Sequence, residues 1–197
     1  MSKKLENIKK EVIECTNCEL SQTRNNSVPG KGNFKSDVIF VGEAPGKNED
    51  MNGEPFIGIA GKKLTIALEN AGITRDKVYI TNIVKCRPPK NRVPTTDERN
   101  TCQNYLEKEI EIIKPKIICI LGNTAFNSLL NGKEIIKFRG KIVRKNNQLY
   151  FLTIHPAATI YNQKLINVLK KDMKKLFKVI EKIKDRKEIK INIEYTS

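Results

Sequence analysis

Three short runs in this chain are apolar almost without interruption: Val38-Ile39-Phe40-Val41, Ile117-Ile118-Cys119-Ile120-Leu121 and Tyr150-Phe151-Leu152-Thr153-Ile154. A strand with one wet face alternates apolar and polar residues. A run that is apolar at nearly every position is buried on both faces, as in a parallel sheet covered by helices. Segments of helical period lie around these runs. Residues 4–14 predict a short amphipathic helix with Leu5, Ile8, Val12 and Ile13 on its inner side. Gly61 to Asn70 reads as a helix ended by Ala71-Gly72. Residues 96–113 read as another, behind the N-cap candidates Thr95-Thr96-Asp97-Glu98. Gly122-Asn123-Thr124 opens a helix through Leu130 that Asn131-Gly132 ends. A long helix over about 162–183 carries Leu165, Ile166, Leu169, Met173, Leu176, Phe177 and Ile180 at helical spacing, with its lysines mostly on the other face.

With Val78 to Val84 as a further strand, the rhythm is β-α-β-α-β-α-β-α, which predicts a mostly parallel sheet with helices on both faces. Gly140–Arg144 and Gln148–Ile154 are expected to pair around Lys145-Asn146-Asn147. Asn25 to Phe34, residues 43–61 and the stretch around Pro88, Pro89 and Pro94 are expected as loops. Residues 1–185 are expected to form one domain, with 186–197 a frayed tail or an added edge strand. No apolar stretch approaches the roughly 20 residues of a membrane span. The amino terminus lacks a signal-peptide core, so a soluble cytoplasmic protein with no targeting signal and no membrane partner is expected.

Lys plus Arg is 37 against 22 for Asp plus Glu, a formal charge of +15. That surplus points to a nucleic-acid partner, although a lysine-rich face can also serve solvation alone. Five cysteines are present. Cys15-x2-Cys18 is a tight pair, Cys86 and Cys102 flank a proline-rich loop, and Cys119 falls inside an apolar run. A disulfide framework does not suit a cytosolic chain of this size. Four thiolates in two groups suit a soft metal centre, either Zn²⁺ or an iron–sulfur cluster, and spacing leaves that choice open.

Two of the apolar runs deliver an ionisable group at their carboxyl ends. Val38–Val41 leads into Gly42-Glu43-Ala44-Pro45-Gly46, and Tyr150–Ile154 leads into His155-Pro156-Ala157-Ala158, which holds the only histidine. Asn82 ends the Val78–Val84 strand region in the same way. Open α/β sheets place their ligand sites at such strand ends. There is no Gly-x-Gly-x-x-Gly and no Gly-Lys-Ser/Thr, so neither dinucleotide nor P-loop chemistry is indicated.

Six blocks in order carry a resemblance: Cys15-Thr16-Asn17-Cys18, Val41-Gly42-Glu43-Ala44-Pro45-Gly46-Lys47-Asn48-Glu49-Asp50, Gly53-Glu54-Pro55-Phe56-Ile57-Gly58, Thr81-Asn82-Ile83-Val84-Lys85-Cys86-Arg87-Pro88-Pro89, Cys102, and His155-Pro156-Ala157-Ala158. Together, over about residues 15–161, the chain resembles the family 4 uracil-DNA glycosylases, the iron–sulfur branch of that superfamily. The resemblance implies a three-layer α/β/α sandwich with a mostly parallel, four-stranded central sheet. It implies a monofunctional glycosylase of base-excision repair that flips uracil out of single- or double-stranded DNA and hydrolyses its N-glycosidic bond. It also implies a structural [4Fe–4S] cluster on Cys15, Cys18, Cys86 and Cys102.

On this reading His155, Glu43 and Asn82 are the catalytic set, and Gly42, Glu43, Ala44, Phe56, Asn82 and His155 form the base pocket. Phe56 is expected to stack on the base, Asn82 to read its polar edge and His155 to donate to O2, while Glu43 orients either the attacking water or the loop. Glu49 and Asp50 are expected as support. Lys85, Arg87, Lys90, Arg92, Asn123 and Lys164 are expected DNA contacts. The histidine motif of the family often continues with Leu-Arg; here Thr159-Ile160-Tyr161-Asn162-Gln163 follows, so Tyr161 or Lys164 is expected in place of that basic residue. A monomer is expected. Gln163-Lys164-Leu165-Ile166 bears a faint similarity to a sliding-clamp-binding peptide, but Leu165 and Ile166 also fit a helix core. Two other readings stay open: a non-catalytic, metal-stabilised nucleic-acid-binding module, and a glycosylase on the same fold for another deaminated base such as hypoxanthine.

Overall fold

The structure, a computed structural model, describes residues 3–195. In chain order the elements are α1 (Lys3–Glu14), α2 (Leu20–Thr23), β1 (Lys31–Gly32), β2 (Val38–Gly42), α3 (Lys47–Asn52), α4 (Ile59–Glu69), β3 (Tyr79–Asn82), α5 (Thr96–Ile113), β4 (Ile117–Leu121), α6 (Asn123–Leu130), α7 (Ile135–Phe138), β5 (Ile142–Lys145), β6 (Gln148–Thr153), α8 (Ala158–Tyr161), α9 (Leu165–Lys184) and β7 (Ile193–Tyr195). The strands form one sheet in the order β1-β3-β2-β4-β6-β5-β7. Its centre, β3-β2-β4-β6, is parallel throughout. These are the four expected strands. The sheet is wider than expected, because β1 adds antiparallel to β3 at one edge. At the other edge β5 pairs antiparallel with β6, and β7, from the carboxyl-terminal segment, adds parallel to β5.

The unbroken apolar runs are explained by two cores, one on each face. Ile39, Val41, Ile118, Ile120 and Leu152 pack with α1, α5 and α6 through Leu5, Val12, Leu106 and Phe126. Their neighbours Val38, Phe40, Ile117, Cys119, Leu121 and Phe151 pack on the opposite face with α4 and α9 through Leu64, Leu68, Leu169 and Leu176. The result is a three-layer sandwich in which alternate residues of each strand serve different cores. Cys119 is one of these core residues.

Local signals act as their chemistry requires. The Thr95 hydroxyl accepts from the Glu98 N–H at 3.2 Å and the Glu98 carboxylate accepts from the Thr95 N–H at 2.8 Å, a reciprocal cap on α5. Asn146 and Asn147 both take positive φ, 47° and 62°, in the two-residue turn between β5 and β6.

Three expectations need correction, and one helix is an addition to them. The 43–61 segment contains α3, a helix of six residues and too short to show a period. The helix expected from residue 162 begins at Leu165, after the separate turn α8. The short helix α7 was not foreseen. Ile13, expected to face inward, is half exposed at 51%. Among the described residues no helix is long and apolar enough to cross a membrane.

Candidate active site at the carboxyl edge of the sheet

Strand register builds the site. Gly42 lies opposite Asn82, Val41 opposite Ile120, and Leu121 opposite Thr153, so the four central strands end in one row. The chain leaves β2 for β3 on one side and returns to β4 on the other, which makes the β2–β4 boundary the switch point of the sheet. Glu43 follows β2 there, and Thr124 belongs to α6 after β4. The Thr124 hydroxyl donates to Glu43 Oε2 across the gap.

Around that gap the chain is crowded enough to demand glycine. A Cβ on Gly42 would lie 2.5 Å from both Asn82 Oδ1 and Phe56 Cζ. One on Gly122, whose φ is +91°, would lie 2.8 Å from His155 Cβ. Phe56 itself holds φ at +54°, a left-handed conformation that is costly for an aromatic residue and is kept only where surroundings enforce it. Its ring sits 5.7 Å from that of His155, centroid to centroid, at 38°. Gly42, Phe56, Asn82 and His155 therefore form one cluster, with Glu43 and Ala44 on the loop leaving Gly42.

His155 is poised as a neutral donor. Its Nδ1 accepts from the Ala157 N–H at 3.2 Å, which assigns the proton of the neutral ring to Nε2. Burial pushes its pKa down from 6.5 to about 4, against the opposing pull of the Glu49 carboxylate. Asn82 is 1% exposed, and its Oδ1 is the one buried side-chain polar atom among the described residues without a hydrogen-bond partner. A buried acceptor in that state costs about 1–3 kcal/mol unless something bound satisfies it.

The loop between β2 and α4 is fastened by carboxylates. Glu49 Oε2 accepts from the Gly46 N–H at 3.1 Å, and Oε1 accepts from the Gly58 N–H at 2.7 Å. Asp50, 1% exposed, accepts from the backbone N–H groups of Asn25 and Asn26 at 2.9 and 3.3 Å. From the sequence Gly122-Asn123-Thr124 reads as the opening of a helix whose N–H groups suit a phosphate, and not as part of the base pocket. The signal there is only a glycine after a strand, a common turn.

Cys15, Cys18, Cys86 and Cys102 line one small pocket, with Val12, Arg24 and Tyr105 among its other walls. Arg24 donates to Cys86 Sγ at 2.9 Å and the Lys85 main-chain N–H donates to Cys102 Sγ at 3.2 Å. Burial pushes the Cys102 thiol up to about 12. Among the described residues no three His, Cys, Asp or Glu side chains form a group fit for a single metal ion. The cavity keeps the thiols around a shared space instead.

The expected DNA contacts divide. Lys85 is a correction: it is 1% exposed, and its ammonium is inside the protein, 2.8 Å from Glu109. A side chain so enclosed cannot reach a phosphate. Arg92 forks onto Glu98 at 2.6 and 2.8 Å, so its guanidinium serves the start of α5. Arg87 donates to Asn91 Oδ1 at 2.7 Å and stays partly exposed, whereas Lys90 is exposed. Asn123 Oδ1 accepts from the Ile135 N–H at 2.7 Å, and Lys164 is exposed just before α9. Tyr161 is 91% exposed. Leu165 and Ile166 pack against the second core, as helix residues do.

Residues 29–181 match the uracil DNA glycosylase superfamily. The chain belongs to that superfamily. Within it, the chain is similar to the type-4 uracil-DNA glycosylase of Sulfurisphaera tokodaii, 48% identical over 87% of this chain and 83% of the relative. The type-4 uracil-DNA glycosylase of Archaeoglobus fulgidus is 42% identical over 87% of this chain and 91% of its own. That of Thermotoga maritima is 40% identical over 90% and 95%. The superfamily match begins after Cys15 and Cys18, while Gly42, Glu43, Phe56, Asn82, Cys86, Cys102 and His155 all fall inside it.

Proposed function

We propose that this protein excises uracil from DNA by hydrolysing the N-glycosidic bond, with His155, Asn82 and Glu43 as its catalytic residues. The observation that carries the reading is the unpartnered Oδ1 of Asn82, buried beside Phe56 and in one cluster with a histidine whose Nε2 bears a proton. Uracil matches that pair of groups. Its N3–H donates to Asn82 Oδ1, its O4 accepts from the Asn82 amide, and its O2 accepts from His155. Cytosine presents an acceptor at N3 and a donor at the neighbouring position, which leaves Asn82 opposed to like groups at about 1–3 kcal/mol for each buried mismatch.

A base inside a duplex cannot meet these residues, so it leaves the stack, at a cost of a few kcal/mol. Stacking on Phe56 offsets this by roughly 1–3 kcal/mol. As the C1′–N1 bond breaks, the bonding pair leaves with uracil and negative charge grows at O2. A fixed donor there is worth about 3–4 kcal/mol. Because its pKa is depressed to about 4, His155 meets that charge as a neutral imidazole and keeps its proton. Glu43, held by Thr124 at Oε2, keeps Oε1 to accept from the water whose oxygen bonds to C1′ and to take the proton that this water releases.

For the cysteine-lined cavity the reading is a [4Fe–4S] cluster held by Cys15, Cys18, Cys86 and Cys102. The donor set fits: four thiols line one space in two groups, the soft sulfur ligands such a cluster takes, and Arg24 and the Lys85 N–H aim at two of the sulfurs. Such a cluster would tie the segment after α1, the loop after β3 and α5 together. Arg87, Lys90 and Lys164 remain the candidate phosphate contacts. The deciding experiment incubates the protein with a labelled oligonucleotide bearing one uracil, beside thymine, cytosine and hypoxanthine controls, and cleaves abasic sites with alkali. Cleavage at uracil alone is expected. Cleavage at hypoxanthine instead would replace the substrate, and none at all would leave a binding module.

A further inference from the structure

Lys85 and Glu109 form a buried ion pair that the chemistry above does not use. Each is 1% exposed, and neither leaves a buried polar atom without a hydrogen-bond partner. The three ammonium protons of Lys85 go to Glu109 Oε2 at 2.8 Å, Thr81 Oγ1 at 2.6 Å and the main-chain oxygen of Asn82 at 3.1 Å. Glu109 Oε2 also accepts from the Thr81 hydroxyl at 2.8 Å, and Oε1 accepts from Tyr79 and from the Gly30 N–H at 3.2 and 3.0 Å. The carboxylate is thus joined to Tyr79 and Thr81 of β3, and the ammonium to Thr81 and Asn82. Between them they grip the strand that ends in the base-reading residue.

We propose that Lys85 and Glu109 are positioning residues for excision: the pair holds the carboxyl end of β3 in the pose that presents the Asn82 amide to the base. This rests on the reading of Asn82 given above. The physical case is one of specificity against stability. A buried ion pair loses much of its Coulombic gain to desolvation, and an apolar pair of similar volume often stabilises as well or better. What an apolar pair cannot supply is a directed bond to the Asn82 carbonyl. Misplacing a reacting group by about 1 Å can cost 10²-fold in rate. The pair therefore acts through Asn82 and touches no substrate atom.

The test is a double-mutant cycle, because a residue that acts only through Asn82 loses its effect when Asn82 is gone. Lys85→Met with Glu109→Gln removes both charges together, so no lone charge is buried. It also keeps the Lys85 main-chain N–H that faces Cys102. Single-turnover excision from a uracil oligonucleotide is measured for the native protein, for this double variant, for Asn82→Ala and for the triple variant. Inhibition by free uracil is measured on the native protein and the double variant. The expected result is a loss of roughly ten- to a hundredfold in the native background and under about threefold in the Asn82→Ala background, with weaker inhibition by uracil. Equal losses in both backgrounds, no loss, or unchanged inhibition would overturn the proposal. If the double variant does not fold, Thr81→Val replaces it. That change keeps both charges and removes one acceptor of the ammonium, and a loss of about threefold or more that vanishes without Asn82 is then required. A native protein inactive on uracil would refute the reading of the site itself, a separate failure.

Discussion

Two buried polar groups near the end of β3 behave in opposite ways. The Asn82 amide oxygen has no partner, whereas Lys85, three positions later, has one for every proton it can donate. Burial is the same for both, at 1% exposure, so burial does not separate a ligand-reading residue from a scaffold residue. Satisfaction does. A folded chain tolerates an orphaned polar atom where something it binds completes it, and completes the rest itself.

The sharpest way to break this contrast is to mutate each side and measure stability and activity separately. Asn82→Ala removes an acceptor that stabilises nothing in the free protein, so its thermal midpoint is expected to hold or rise while uracil excision falls about 10²–10³-fold. His155→Ala is expected to lose activity on the same scale. Lys85→Met alone leaves Glu109 as a buried charge and is expected to cost about 3–5 kcal/mol of stability. If Asn82→Ala unfolds as readily as Lys85→Met, the two groups are both scaffold and the pocket lies elsewhere.

A second test uses protons. Because burial holds the folded-state pKa of His155 near 4 against 6.5 for a free imidazole, the unfolded chain binds more protons between those values. Stability is expected to fall as pH drops from about 6.5 towards 4, and His155→Gln is expected to flatten that part of the profile. Excision is expected to show no inflection at pH 6.5 and to decline only near pH 4, as the imidazole charges. A step in activity at 6.5 would mean that His155 works as a cation, and the neutral-donor reading would fail.

Glu49 lies between the two classes, since its carboxylate is satisfied by the loop that carries the site. Glu49→Gln keeps one acceptor and is expected to reduce excision about five- to tenfold, near the 1 kcal/mol worth of one hydrogen bond. It also removes the charge that raises the His155 pKa, so the acid limb is expected to move to lower pH. An acid limb that stays put would show that Glu49 shapes the loop without acting on the imidazole.

How far the sequence reads this site depends on the scale of the signal. Val38–Val41 and Tyr150–Ile154 announce buried strands because nearly every position is apolar, and their carboxyl ends then locate Glu43 and His155. The Thr95–Glu98 cap and the Asn146-Asn147 turn are equally local. The helix α3 escapes because six residues carry fewer than two turns of pattern. Lys85 escapes for another reason. In Lys85-Cys86-Arg87 both basic residues look like phosphate ligands, and only the distant Glu109, 24 positions away, decides which one turns inward. Thr124 is hidden similarly, since its partner Glu43 is 81 positions away.

The smallest expected effect tests what remains of the DNA surface once Lys85 is removed from it. Lys90 is exposed beside the cysteine loop, with its main chain at a positive φ of 54°. A lysine that neutralises a phosphate releases roughly one counterion, so Lys90→Gln is expected to lower the slope of log affinity against log salt by about 1, or about 0.7 on single strands. The loss should be the same for uracil-bearing and undamaged DNA, since a phosphate contact reads no base. Arg92→Gln offers the control. Its guanidinium is committed to Glu98, so it is expected to loosen the start of α5 and leave the salt slope nearly unchanged. If instead Arg92→Gln changes the slope and Lys90→Gln does not, the forked pair opens on DNA. Satisfaction in the free protein would then be no guide to which charged groups a polyanion recruits.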